Sequence, residues 1–185
     1  MARAPKKGAD EGRTVIFADQ TGLYLLPMAV RTYAPTGQTP VLRETLTRDH
    51  LSVMAGVTPE GKLYQLTQEE AFNGEGVVRF LRHLLRQVKG KLLVLWDGAP
   101  IHRCKEVKMF LSEGGAKRLH LEPFPGYSPD LNPQEGVWSY LKRVELKNLC
   151  CHDLSELGAE LKKAFHRLRH KTDILKACVR QPGFY

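Results

Sequence analysis

The sequence is poor in several features that would commit a chain to a particular class. No apolar run approaches the roughly 20 residues a membrane-spanning helix needs, so no membrane partner is expected. The opening residues, MARAPKKGADEGR, contain no apolar stretch and do not have the form of a secretion signal. Only four cysteines occur, at positions 104, 150, 151 and 178. None forms a C-x-x-C pair, which argues against a zinc site, and the adjacent pair does not make a disulfide framework. That usage fits a reducing compartment, so a cytoplasmic setting is expected. Internal repeats, low-complexity segments and strong interdomain linkers are also missing. The 185 residues suffice for one domain with a sizeable core.

Charge is present in excess, and unevenly. The net charge is +8. Residues 1–13 carry four Lys/Arg against two Asp/Glu, residues 14–135 fourteen against thirteen, and residues 136–185 ten against five. The positive excess therefore lies mostly in the tail. It suits an anionic partner, nucleic acid first, and equally a solvated basic helix face.

Residues 1–13 are expected to be a flexible leader, and residues 14–185 one domain, with basic helices from about residue 150. TVIFAD (14–19) is a β-branched and aromatic run ending on Asp19. A turn at Gln20, Thr21 and Gly22 and a returning strand over 23–34 are expected, with Pro27 at an edge or bulge, then a loop. Alternation over 51–57 predicts a half-buried strand, and 63–66 a short partner. Over 76–89 the period becomes helical, with Val77, Leu81, Leu84, Leu85 and Val88 on one face, and Gly90 closes the helix. Residues 92–97, LLVLWD, form an apolar run that stops at Asp97 and gives way to Gly98, Ala99 and Pro100, the pattern of a buried strand delivering a carboxylate at its end. A helix over 103–112, a strand over 118–122, a shaped loop over 124–133 and a helix over 134–148, with Val137, Leu141 and Val144 inward, come next. Asp153 and Glu156 have the spacing of a capping box for the helix after them. The last eight residues carry no readable pattern. The order predicts a mixed sheet flanked by helices.

Three acids stand out by position: Asp19 and Asp97 at strand ends, and Glu135 at a helix start after a rigid loop. If the two strands are neighbours, both aspartates meet at one end of the sheet and Glu135 can close the group. Three packed carboxylates repel unless a cation neutralises them. With oxygen donors and no Cys or His cluster the matching cation is hard, Mg²⁺ or Mn²⁺. Two such ions roughly 3.5–4 Å apart form a clamp for in-line displacement at phosphorus. The same residues also suit separate structural roles, the aspartates in Asx turns and Glu135 as a first-turn helix acid. His102 fits a contact to phosphate, a hold on a neighbouring acid, or a helix cap. Tyr127, Ser128, Asn132 and Pro133 shape the loop that places Glu135, and Asp130 suits a turn or cap better than a ligand position. Trp138 fits the core or a stack on a base. In the basic tail Lys142, Arg143, Lys147, Lys162, Lys163 and Arg167 are the candidates for DNA-backbone contacts.

WDGAPIH (96–102) together with YSPDLNPQEGVWSYLK (127–142) resembles the catalytic domain of DDE transposases, and more narrowly the bacterial insertion-sequence family six-thirty, a relative of the mariner elements. FADQTGLYLLP (17–27) is similar to that family's first-aspartate motif, and TYAPTGQTPVL (32–42) to its W-A-P-x-G-x-x-P stretch. The resemblance runs from about residue 14 to 150. It implies a ribonuclease H-like α/β fold, a mixed five-stranded sheet with three antiparallel strands first, flanked by helices. It also implies Asp19, Asp97 and Glu135 as the catalytic, metal-binding triad of a metal-dependent polynucleotidyl transfer. The chemistry the resemblance implies is hydrolysis at the element's ends and strand transfer into a target, at a TA dinucleotide, without a covalent protein–DNA intermediate. A homodimer and a bacterial, nucleoid-associated location are implied by the same resemblance.

Three departures are visible. Gln20 stands where the family often has Glu, and Tyr33 where it has Trp. The family's N-terminal helix-turn-helix region has no counterpart in the 13 or so residues before the first strand, so a separately encoded helix-turn-helix part is an expected partner. Two other readings compete with the transposase: a host ribonuclease H-like nuclease, against which the 127–138 motif argues, and a non-catalytic DNA-binding or regulatory remnant, against which the presence of all three acids argues.

Overall fold

A computed structural model describes residues 8, 10–26, 28–42, 47–125 and 131–181. Its centre is a five-stranded mixed sheet built from β1 (Arg13–Tyr24), β2 (His50–Val57), β3 (Leu63–Gln68), β4 (Lys91–Trp96) and β5 (Leu119–Pro123), in the order β3-β2-β1-β4-β5. The first three strands form an antiparallel meander, and β4 and β5 run parallel to β1. This is the ribonuclease H-like arrangement expected from the sequence.

Helices cover both faces: α1 (Gly74–Gln87) and α2 (Lys105–Ser112) on one, α3 (Pro133–Tyr140), α4 (Leu154–Arg169) and α5 (Thr172–Arg180) on the other. Strand alternation divides the core accordingly. On β1, Ile16 and Ala18 pack with Val77, Phe80, Leu81 and Leu84 of α1. Val15 and Phe17 pack instead with Val137 and Trp138 of α3 and Leu161 and Phe165 of α4. Both layers are needed because β1 and β4, central and buried, are apolar on either side. The crossover through α1 starts at Asn73, whose side chain accepts from Gly76 N–H at 2.9 Å, and turns back to β4 through Gly90 at φ +87°.

Several expectations need correction. No turn occurs at 20–22. β1 runs straight through Gln20, Thr21 and Gly22 to Tyr24, paired with β2 residue by residue. Cross-strand pairing overrides the local turn signal, and the returning strand over 23–34 does not form: residues 28–34 have no regular structure. Pro27 lies outside the described residues. The 51–57 strand is buried along its length, because it is flanked on both sides and covered on both faces. The 103–112 helix divides into a 3₁₀ turn (Pro100–Arg103) and α2.

The 134–148 helix changes character at Leu141, where a π turn (Leu141–Glu145) accepts Leu146 N–H at Leu141 O, 2.9 Å. The extra residue in that turn shifts the helical phase. Val144 is exposed as a result, not inward, while Val137 and Leu141 stay buried. Asp153 caps α4 as the spacing predicts, accepting from Glu156 N–H at 2.8 Å, and Glu156 reaches back to His152 N–H at 2.8 Å. Helix α5, unread in the sequence, seats Leu175 and Val179 in the core against α3. Gly136 permits that approach, since a Cβ there would stand 3.2 Å from Cys178. Cys104 and Cys178 are free thiols, and among the described residues no helix is long and apolar enough to cross a membrane.

Candidate active site

The register of β1 on β4 fixes the geometry. Their last aligned pair is Phe17 with Leu95. Two residues further along each chain stand Asp19 and Asp97. Phe17 and Leu95 belong to the core on the α3 side, and the same alternation puts Asp19 on that side; it stands in the middle of β1, not at the strand end its sequence suggests, while Asp97 stands one residue past the end of the parallel neighbour β4.

Asp97 is held by the residues directly after it. Its Oδ1 accepts from Ala99 N–H at 3.0 Å, closing the turn made by Gly98 and Ala99. His102 Nδ1 lies 2.8 Å from the same oxygen and 3.1 Å from the Asp97 carbonyl. Both of those atoms are acceptors, which assigns the proton to Nδ1. The His102 ring is buried and lies flat on Trp96, centroids 4.1 Å apart and planes 7° apart. The histidine thus takes the second of the roles open to it, holding a neighbouring acid. Half of the Asp97 side chain remains exposed.

Asp19 is the more enclosed acid. Burial pushes its carboxyl up to about 6. Hydrogen bonds from the Gln20 backbone and the Trp138 indole act in the opposite direction, and the nearby charges of Glu135 and Asp97 add to the rise. Trp138 Nε1 donates to Asp19 Oδ2 at 3.0 Å. Glu135 comes from the first turn of α3, which Asn132 caps by accepting from Gln134 N–H at 3.1 Å and Pro133 opens with its preset φ. The Glu135 side chain is exposed. The three acids are therefore electrostatic neighbours, yet among the described residues no three His, Cys, Asp or Glu side chains are closed into a group that could hold an ion as they stand.

Lys142 stands elsewhere than among a run of tail cations. It is half-buried at the rim of the acids, with Nζ 2.8 Å from Thr21 Oγ1. Burial lowers its ammonium below the ordinary lysine range, while Glu135 and Asp19 act to raise it. Glu135, Trp138 and Lys142 are spaced by three and four residues, which puts them on one helix face. That spacing is the signal by which Trp138 and Lys142 could have been assigned to the site. Arg143, Lys147 and Lys162 are exposed, and Lys163 pairs with Glu160 at 2.7 Å. Arg167 pairs at 2.7 Å with Glu145, whose side chain is buried and also accepts from Lys171 at 2.7 Å. Tyr127, Ser128 and Asp130 lie outside the described residues. A hollow of about 240 Å³ opens beside Asp97 between Trp96, His102 and Pro123. A larger one, about 660 Å³ between α1 and α2, lies away from the acids.

The fold has solved counterparts. The chain is similar to the Mos1 mariner paired-end complex with Mn, with a TM-score of 0.64 and 19% identity over 98% of this chain and 59% of that one. It is likewise similar to the Mos1 strand transfer complex, with a TM-score of 0.63 and 20% identity over 98% and 58%. The catalytic domain of Mos1 mariner transposase gives a TM-score of 0.56 and 15% identity over 97% and 88%. The chain thus spans about three-fifths of the length of the first two, and identities this low establish the fold alone. No curated protein matches the sequence. The family model described as DDE superfamily endonuclease matches residues 14–158. That match takes in Asp19, Asp97 and the helix that carries Glu135, and the chain belongs to the DDE superfamily endonuclease family.

Proposed function

We propose that this chain is the catalytic part of a transposase, cutting DNA at the ends of a mobile element and joining them to a target. The observation that carries the reading is the matched level of Asp19, within β1, and Asp97, just past the end of the adjacent parallel β4, with Glu135 electrostatically coupled to Asp19. The residues fit divalent ions: the donors are carboxylate oxygens without thiolate, and Asp19 is a carboxyl whose charge the enclosure opposes. Asp19, Asp97 and Glu135 would hold Mg²⁺ or Mn²⁺, two ions in the full site. When bound, such ions activate a water or a DNA 3′-hydroxyl and neutralise the leaving oxygen.

The chain's own groups do the rest. His102 keeps the Asp97 carboxylate turned toward the site. Lys142, between the acids and Thr21, is placed to meet a backbone phosphate entering beside them. Arg143, Lys147, Lys162 and Lys163 offer phosphate contacts further out, whereas Arg167 is engaged by Glu145. Membership of the bacterial insertion-sequence family six-thirty, insertion at TA, a homodimer, a separately encoded helix-turn-helix part and a nucleoid-associated cytoplasmic location complete the proposal.

The test is nicking of duplex DNA by the purified chain with Mg²⁺ or Mn²⁺. Cleavage is expected to require the metal and to be lost in Asp97→Asn. Equal cleavage in excess chelator would overturn the metal mechanism.

A further inference from the structure

We propose that Trp138 is a positioning residue for the metal site: its indole N–H fixes the orientation in which the Asp19 carboxylate meets a divalent ion. This rests on reading Asp19 as a metal ligand.

The indole nitrogen is a donor only, and it lies 3.0 Å from Asp19 Oδ2. The ring cannot swing away, because it is buried in the core layer with Val137 and Leu141. A carboxylate on its own turns freely, since the last torsion of an aspartate has a broad energy surface. A fixed donor on one oxygen removes that freedom while leaving lone pairs for an ion. The second strand aspartate is treated alike: Asp97 receives Nδ1–H of His102, itself clamped flat on Trp96. Each acid thus has one oxygen tied to a buried aromatic N–H, and both tryptophans of the chain serve these two acids. Trp138 also stands one helical turn from Glu135, so the same bond ties the helix carrying the third acid to β1. Donors of this kind, which orient a ligand without touching the metal, typically alter metal affinity about 10–100-fold.

The experiment is calorimetric titration of the full chain with Mn²⁺ alone, in three forms besides the unmodified one. Trp138→Phe keeps an aromatic ring and loses the donor. Replacing Trp138 by benzothienylalanine keeps the ring shape and exchanges N–H for sulfur. Asp19→Asn tests the underlying assignment. The expected result is Mn²⁺ binding at least about tenfold weaker in both Trp138 forms, with the metal-free benzothienyl form still unfolding cooperatively in urea. Mn²⁺ affinity unaltered in the benzothienyl form, with Asp19→Asn deficient, would overturn the positioning role alone. Full Mn²⁺ affinity in Asp19→Asn would overturn the ligand assignment beneath it. If Trp138→Phe does not fold, the benzothienyl form decides.

Discussion

The charge on Asp19 should make the metal-free protein less stable as pH rises, and the effect can be sized. Its carboxyl moves from 3.8 to about 6 on folding, chiefly through burial. At about 1.4 kcal/mol per pH unit, that displacement amounts to roughly 3 kcal/mol. The direction comes from proton counting. Between those two values the folded state holds a proton that the unfolded state has released, so stability falls as pH climbs through this window and stays lowered above it. Asp19→Asn removes the titration and leaves a pH-independent offset. The stability of the variant minus that of the unmodified protein should therefore rise by roughly 2.5 kcal/mol between pH 4 and pH 7, the part of the displacement that falls in that window, whatever the offset. Urea unfolding in chelator measures this as a relative midpoint movement of roughly 1–3 M, given slopes of 1–3 kcal/mol per M. Added Mn²⁺ at pH 7 should stabilise the unmodified protein and not the variant. Two stability curves that run parallel from pH 4 to pH 7 would refute the claim that Asp19 is enclosed at a cost to its charge.

Two further outcomes are expected. Glu145→Gln removes the shared partner of Arg167 and Lys171, and urea unfolding should show a loss of about 2 kcal/mol. That is less than for a fully buried pair, because both cations are substantially exposed and rehydrate. DNA binding should weaken steeply with salt, with Lys147→Gln and Lys162→Gln each flattening the log–log slope by about 1, and Arg167→Gln leaving it nearly unchanged. Fluorescence anisotropy over a salt series checks both parts.

What the sequence makes legible is whatever local chemistry decides. The β4 run ending on Asp97, the α1 stripe and the Asp153 cap are local patterns, and all three stand as read. Local signals fail where a distant partner decides the outcome. Gln20, Thr21 and Gly22 look like a turn until β2 pairs with them across the sheet. Val144 fits an uninterrupted stripe until the π turn changes the phase at Leu141. Trp138 has the burial of a core residue, and only its neighbour Asp19, 119 positions earlier in the chain, reveals a second use for its nitrogen. The run before Asp97 marks a strand end correctly, whereas Asp19 only looks like one because β1 continues to Tyr24, and the alignment of the two acids is a property of the β1–β4 register, which no single strand encodes.

The unequal lengths of β1 and β4 have a consequence for access. β4 stops at Trp96, level with Ala18, while β1 continues through Tyr24 with β2 on its other side. The sheet therefore has a step at Asp19, from which β1 runs on without a β4 partner for a distance of roughly 20 Å at about 3.3 Å per residue. That ledge is about the rise of six base pairs. Asp19 sits at the inner corner of that step, so the unpartnered length of β1 begins at the acid itself.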